Sequence, residues 1–135
     1  MSGRSWTPST AAVSADSVQQ ILRDHPIVAV HFWAPWNRAY DEALDSALLP
    51  LYKEFGDRID FRSLDTDDRQ LWSFVQGAGV LNLPAIGFWR NGQRDRVVIG
   101  LRSLAAWRET FVEVLRSPAS TTGGEESTGR ANGNR

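Results

Sequence analysis

Cysteine is absent from the 135-residue sequence, and this absence excludes more functions than any other feature of the composition. Without a thiol the chain cannot form disulfides, Cys-ligated zinc sites or iron–sulfur clusters, and it has no thiol nucleophile. A strong charge of one sign is also missing, since 15 basic residues stand against 16 acidic ones. We therefore expect neither nucleic acid nor an anionic membrane as a partner.

Long apolar runs are missing as well. No segment approaches ~18 consecutive apolar residues, so no membrane-spanning helix is expected. Residues 1–16 have no continuous apolar core and do not have the pattern of a signal peptide, so a cytoplasmic protein is the expectation. Only two histidines are present, and no acidic cluster has metal-ligand spacing near them, so we expect no metal and no cofactor.

The two ends of the chain differ in composition from its middle. Residues 117–135 are rich in Ser, Thr and Gly and contain no large apolar side chain, so a disordered C-terminal tail is predicted. Residues 1–13 are assigned to a flexible N-terminal segment, with the alternative that Trp6 anchors it on the core. The remaining residues, 14–116, are predicted to form one domain.

Helix and strand patterns alternate through this domain. A short amphipathic helix carries Val18 and Leu22 and ends before Pro26. Residues 27–33 are almost all apolar and predict a buried central strand. The next helix has one apolar stripe at 3-4 spacing, which is expected to face the core. Its members are Tyr40, Ala43, Leu44, Ala47, Leu48, Leu51, Tyr52 and Phe55.

The second half of the domain continues the alternation. Residues 58–64 predict a strand, and Asp67 is expected to cap a short helix after it. Residues 84–90 and 96–99 form a hairpin pattern around Asn91-Gly92, a favoured turn pair. A last helix follows Ser103, with Leu104 among its inward residues. This order predicts an α/β fold of three layers (α/β/α) with a mixed central sheet of four or five strands.

Four motifs occur in order along residues 18–115: F-W-A-P-W at residues 32–36, V-L-N-L-P-A at residues 80–85, Asn91-Gly92, and Gly100. In these motifs and in their order the sequence resembles the thioredoxin family. The resemblance implies the thioredoxin fold. It also implies a cis peptide bond at Leu83-Pro84, at the family's cis-proline position.

The departures from the family pattern concern its chemistry. Residues 36–40 read W-N-R-A-Y where thioredoxins have W-C-G-P-C, so Asn37 and Tyr40 take the places of the two cysteines. His31 takes the place of the buried aspartate that serves the resolving cysteine, and Ser63 that of its lysine partner. The resemblance therefore implies a redox-inactive relative, because a thiolate is the nucleophile in this chemistry.

Two interpretations of the former active site remain open. In the first it is a recognition surface, in which Arg38 could bind an anionic group and aromatic side chains supply contact area. This surface comprises Trp36, Asn37, Arg38, Ala39, Tyr40, Leu83, Pro84 and Ala85. In the second, Asn37 is a helix cap and Tyr40 only begins the inward stripe. His31, Pro84, Gly92 and Gly100 are assigned structural roles.

Three functions follow from these interpretations. The first is a binding module, monomeric, for an unidentified protein or peptide held in the groove by main-chain hydrogen bonds. The second is a structural or assembly subunit. The third is an enzyme with non-thiol chemistry that uses His31, Asn37, Arg38 or Tyr40, although no nucleophile–base pair is recognisable and no catalytic residue is assigned.

Overall fold

Five strands form one mixed sheet in the computed structural model, which describes residues 6–116. The strands are β1 (Ala11–Ala12), β2 (Ile27–Trp33), β3 (Asp60–Asp65), β4 (Ala85–Arg90) and β5 (Gln93–Ile99). Their order across the sheet is β1-β3-β2-β4-β5, with β1, β3 and β2 parallel and the last two pairings antiparallel. The predicted mixed sheet is confirmed at five strands.

Helices cover both faces of this sheet. They are α1 (Val18–Asp24), α2 (Arg38–Phe55), α3 (Trp72–Ala78) and α4 (Leu104–Arg116). One apolar cluster joins α2 and α4 to the sheet around Phe55 and Phe111, and the other joins α1 and α3 to the opposite face around Leu22 and Trp89. The expected three-layer arrangement is therefore present. No helix within residues 6–116 has the length and apolarity needed to cross a membrane.

Strand β2 determines where the functional loops lie. All seven of its residues are buried, as expected for a central strand covered on both faces. Its last residues pair with both neighbours, Phe32 with Ala85 of β4 and Trp33 with Asp65 of β3. The loop that follows β2 therefore leaves the sheet between the end of β3 and the beginning of β4.

Residues 6–13, which the sequence assigned to a flexible N-terminal segment, contact the domain at several points. Ser9 donates hydrogen bonds from its backbone N and its Oγ to Asp45 of α2, at 3.0–3.3 Å. Trp6 packs edge-on against Trp33, with ring centroids 5.6 Å apart. Ala11 and Ala12 form β1, a strand that was not predicted. Residues 1–5 and 117–135, including the predicted disordered tail, lie outside the described residues.

The inward face of α2 differs from the predicted stripe. Leu44, Leu48, Leu51 and Phe55 are buried as expected, but Tyr40, Ala43 and Tyr52 are exposed. Two aspartates, Asp41 and Asp45, are buried in their place. The prediction for these positions was wrong because it rested on apolar spacing alone, whereas both carboxylates find hydrogen-bond donors inside the protein.

Two further local predictions need correction. Asp68, not Asp67, caps the 3₁₀ turn Arg69–Leu71 before α3, because its side chain accepts from Gln70 N at 3.0 Å. Leu104 is exposed rather than inward. By contrast, Ser103 Oγ accepts from Ala106 N at 3.1 Å, as a cap of α4 should.

Candidate functional site

Three loops lie together at one end of strands β2, β4 and β5, where the sequence predicts a recognition surface. One follows β2, one precedes β4 and one follows β5. Ala85 pairs with both Phe32 and Ile99, and Gly100 N donates to Pro84 O at 2.8 Å, which joins the second and third loops. The Leu83-Pro84 peptide bond is cis. Gly100 has φ +103°, a conformation that favours glycine, so its structural role has a physical basis.

The loop after β2 presents two large side chains to the solvent. Trp36 is 68% exposed and Tyr40 is 58% exposed, and Ala39 between them is exposed as well. Tyr40 therefore does not belong to the inward stripe of α2, which favours the recognition interpretation at this position. Arg38 is exposed and forms an ion pair with Glu42, with Nε 3.4 Å from Oε1.

Trp36 is oriented by a hydrogen bond at one edge of its ring. Its Nε1 donates to Asp67 Oδ1 at 3.0 Å. Asp67 is held in turn by its backbone N, which donates to Asp65 Oδ1 at 2.9 Å. Burial raises the pKa of Asp65 above its ordinary value. The indole is therefore exposed at its face while its polar atom has a partner within the protein.

Asp41 connects this loop to the first turns of α2. Its side chain is fully buried, and its two carboxylate oxygens accept from Ala34 N and from Asn37 Nδ2, both at 3.0 Å. Asn37 stands at the N-cap position but makes no side-chain bond to the helix backbone, so its predicted capping role is replaced by this contact. Desolvation raises the pKa of Asp41, and the two hydrogen bonds oppose that rise.

The loop before β4 contributes mostly main chain to the surface. Pro84 and Ala85 are buried and Leu83 is half-buried. Leu83 N donates to the Oδ1 of exposed Asn82 at 2.9 Å. Three exposed apolar residues beside these positions were missed by the sequence analysis: Leu81, which is 88% exposed, Ile99 and Leu101. The sequence signal that could have marked these three residues as candidates is their position close to the motif residues Pro84 and Gly100.

His31 lies in the core rather than at this surface. It is buried on the α2 side of β2, beside Ser63 of β3, and Trp6 packs near its ring with centroids 6.5 Å apart. Neither ring nitrogen has a hydrogen-bond partner among residues 6–116. Burial lowers the pKa of His31 from 6.5 to about 4. Ser63 Oγ donates to Thr10 O at 3.1 Å, so both positions now serve packing and strand pairing.

At the positions that correspond to the thioredoxin redox motif, the surface presents the side chains of Trp36 and Tyr40. Asn37 and Arg38 are engaged with neighbouring carboxylates, Tyr40 is open to solvent and His31 is sealed in the core. Within residues 6–116 no cluster of His, Asp or Glu could hold a metal ion. Thiol–disulfide exchange by this sequence is excluded, because it has no cysteine.

Comparison of sequences gives a distant similarity to a thioredoxin. No family model matches the sequence. A thioredoxin of Malassezia sympodialis is 24% identical over 94 residues, which cover 64% of this chain and 81% of that protein.

Solved structures resemble the domain more clearly than sequences do. Mitochondrial thioredoxin 3 of Saccharomyces cerevisiae, in its oxidised form, superposes with a TM-score of 0.67 at 15% identity, over 78% of this chain and 95% of that one. The M. sympodialis thioredoxin also gives a TM-score of 0.67, at 21% identity over 79% of this chain and 91% of that one. The chain thus has the thioredoxin fold and is similar to thioredoxins, but its sequence lacks the CxxC motif because it contains no cysteine.

Proposed function

We propose that this domain is a non-catalytic binding module that holds an extended segment of a partner protein or peptide at the former active site. The observation that carries the proposal is that three loops at one end of the sheet, joined through the pairing of Ala85 and the Gly100–Pro84 hydrogen bond, each carry exposed apolar side chains. These side chains are Trp36, Tyr40, Leu81, Ile99 and Leu101. Exposed aromatic and aliphatic side chains that converge from separate segments are typical of interaction sites.

The main chain beside Pro84 supports an extended partner. Leu83 N donates to the side chain of Asn82, which is itself exposed. A carbonyl oxygen of an incoming peptide can replace this side-chain oxygen with little loss, because the donor exchanges one acceptor for another. No step of this binding requires a thiol.

The alternative of a non-thiol enzyme receives less support from the same residues. An acid–base pair must lie within hydrogen-bond reach of a reacting group. His31 is buried while Tyr40 faces the solvent, and the side chain of Asn37 is engaged by Asp41. The cytoplasmic location and the monomeric state expected from the sequence remain predictions.

Matched variants on one helix test the proposal. Tyr40 and Tyr52 both belong to α2 and are 58% and 54% exposed, but only Tyr40 lies at the proposed surface. A second pair is matched in exposure: Leu101, in the loop after β5, is 50% exposed, and its control Leu49, on α2, is 48% exposed. The probe is a panel of capped, cysteine-free peptides with apolar residues at alternate positions, titrated into isotope-labelled protein.

We expect shifts of NMR signals at residues 36–40, 81–85 and 99–101. Tyr40→Ala and Leu101→Ser should each weaken peptide binding about fivefold or more, since truncation of an interface anchor costs ~1 kcal/mol or more. Tyr52→Ala and Leu49→Ser should leave the affinity unchanged. Shifts confined to another face, or no binding by any peptide of the panel, would contradict the proposal.

A further inference from the structure

Two buried carboxylates on α2 form a natural comparison. Asp41 and Asp45 lie one turn apart on the inward face of the helix, and each accepts hydrogen bonds from a different segment. Asp45 binds Ser9 of the N-terminal segment. Asp41 binds Ala34 and Asn37, which flank Trp36 in the loop after β2. Neither set of hydrogen bonds is part of the apolar packing of α2 against the core.

Asp41 accepts hydrogen bonds from both ends of the segment of residues 34–37. Ala34 O accepts from Asn37 N at 3.0 Å, while Ala34 N donates to Asp41 Oδ2 at the same distance. Both polar backbone atoms of Ala34 are therefore bound. The other end of the 3₁₀ turn is held through the Asn37 side chain by Asp41 Oδ1. Trp36 is presented from a turn whose two ends are attached to one carboxylate.

We propose that Asp41 is the positioning residue of this loop, whose buried carboxylate fixes residues 34–37 in the conformation that presents Trp36 to a partner. The role as a recognition element rests on the proposed function, whereas the fixing of the loop is a property of the free domain. A buried carboxylate suits this task, because hydrogen bonds to a charged acceptor are stronger than neutral ones. Removal of its oxygens leaves the Ala34 amide without an acceptor.

The test compares Asp41→Ala with Asp45→Ala in the free protein. We expect Asp41→Ala to speed hydrogen exchange of the Ala34 amide about tenfold, as loss of one hydrogen bond predicts, and to shift the Trp36 indole NMR signal. Asp45→Ala should leave both signals unchanged. Asp41→Asn should restore the wild-type values in part, because its carbonyl oxygen can accept from Ala34 N and its amide can donate to a reoriented Asn37 side chain, but both are neutral hydrogen bonds.

Two further measurements keep the outcome decisive. If Asp41→Ala does not fold, Asn37→Ala removes one of the two donors and should shift the Trp36 indole signal by itself. In the peptide titration, Asp41→Ala should weaken binding about as much as Tyr40→Ala does, and Asp45→Ala should not.

Unchanged Ala34 exchange and an unchanged Trp36 signal in Asp41→Ala would overturn the positioning role. Equal changes in Asp45→Ala would overturn it too, since the effect would then be a general loosening of α2. If the loop loosens as expected but wild-type protein binds no peptide, the proposed function fails while the positioning role in the free domain is supported.

Discussion

His31 should make the stability of the domain depend on pH. The unfolded chain protonates this side chain near its ordinary pKa of 6.5, whereas burial lowers the pKa in the native state to about 4. Between these values the unfolded state binds more protons, so the free energy of unfolding falls as the pH is lowered through this window. The full effect is about 3 kcal/mol by the standard conversion of pKa differences.

Urea unfolding between pH 7 and pH 4 measures this dependence. His31→Leu should remove most of the loss. Asp41 and Asp45 act in the opposite direction, since burial raises both of their pKa values and the native state then binds protons more tightly. A wild-type stability that does not change between pH 6.5 and pH 5 would contradict the histidine prediction.

Single residues of α2 mark the limit of sequence reasoning at this scale. Apolar spacing located Leu44, Leu48 and Phe55 correctly, because their burial is decided by the helix itself. The burial of Asp45 depends on donors from Ser9, 36 residues earlier in the chain, which no local pattern contains. Tyr40 lies in the first turn of α2 and is 58% exposed, although the same spacing places it in the inward stripe.

At the scale of elements, the N-terminal segment contributes to stability through Trp6. Its ring is half-buried and contacts Trp33 and His31. Trp6→Ala should lower the free energy of unfolding by about 1–3 kcal/mol, from the apolar area that returns to water. Trp72→Ala, at an exposed tryptophan of α3, is the control and should cost less than about 0.5 kcal/mol. If Trp6→Ala costs no more than Trp72→Ala in urea unfolding, the predicted contribution of Trp6 is wrong.

The composition of strand β1 explains why the sequence did not predict it. It has two residues, both alanine, with exposed side chains. Neither residue type nor alternation identifies such a strand, because β propensity mostly reflects packing of larger side chains. What fixes it is tertiary: Ala11 and Ala12 pair with Arg62 and Ser63, and Ser63 Oγ donates to Thr10 O. The hairpin was predictable for the opposite reason, since Asn91 and Gly92 have φ of 52° and 84°, as their turn requires.

At the scale of the whole molecule, the order of elements was predictable because each long element has its own periodicity and its own terminators. The almost entirely apolar β2 and the turn at Asn91-Gly92 left few topologies to consider. The surface around Pro84 was predictable only in part. Sequence motifs located Trp36 and Pro84, but the exposure of Leu81 and Leu101 depends on the fold and cannot be read from their positions beside these motifs. Fold similarity also does not transfer chemistry.

Because fold similarity does not transfer chemistry, we expect this protein to have no thiol–disulfide activity. Reduction of insulin by dithiothreitol should proceed at the same rate with and without this protein, because no side chain can carry a thiolate or form a mixed disulfide. A thioredoxin that has the CxxC motif serves as the positive control. A rate clearly above that of the buffer thiol would contradict the assignment of a non-redox domain. Because peptide binding at the Pro84 surface needs no thiol, addition of dithiothreitol should also leave the affinity for a bound peptide unchanged.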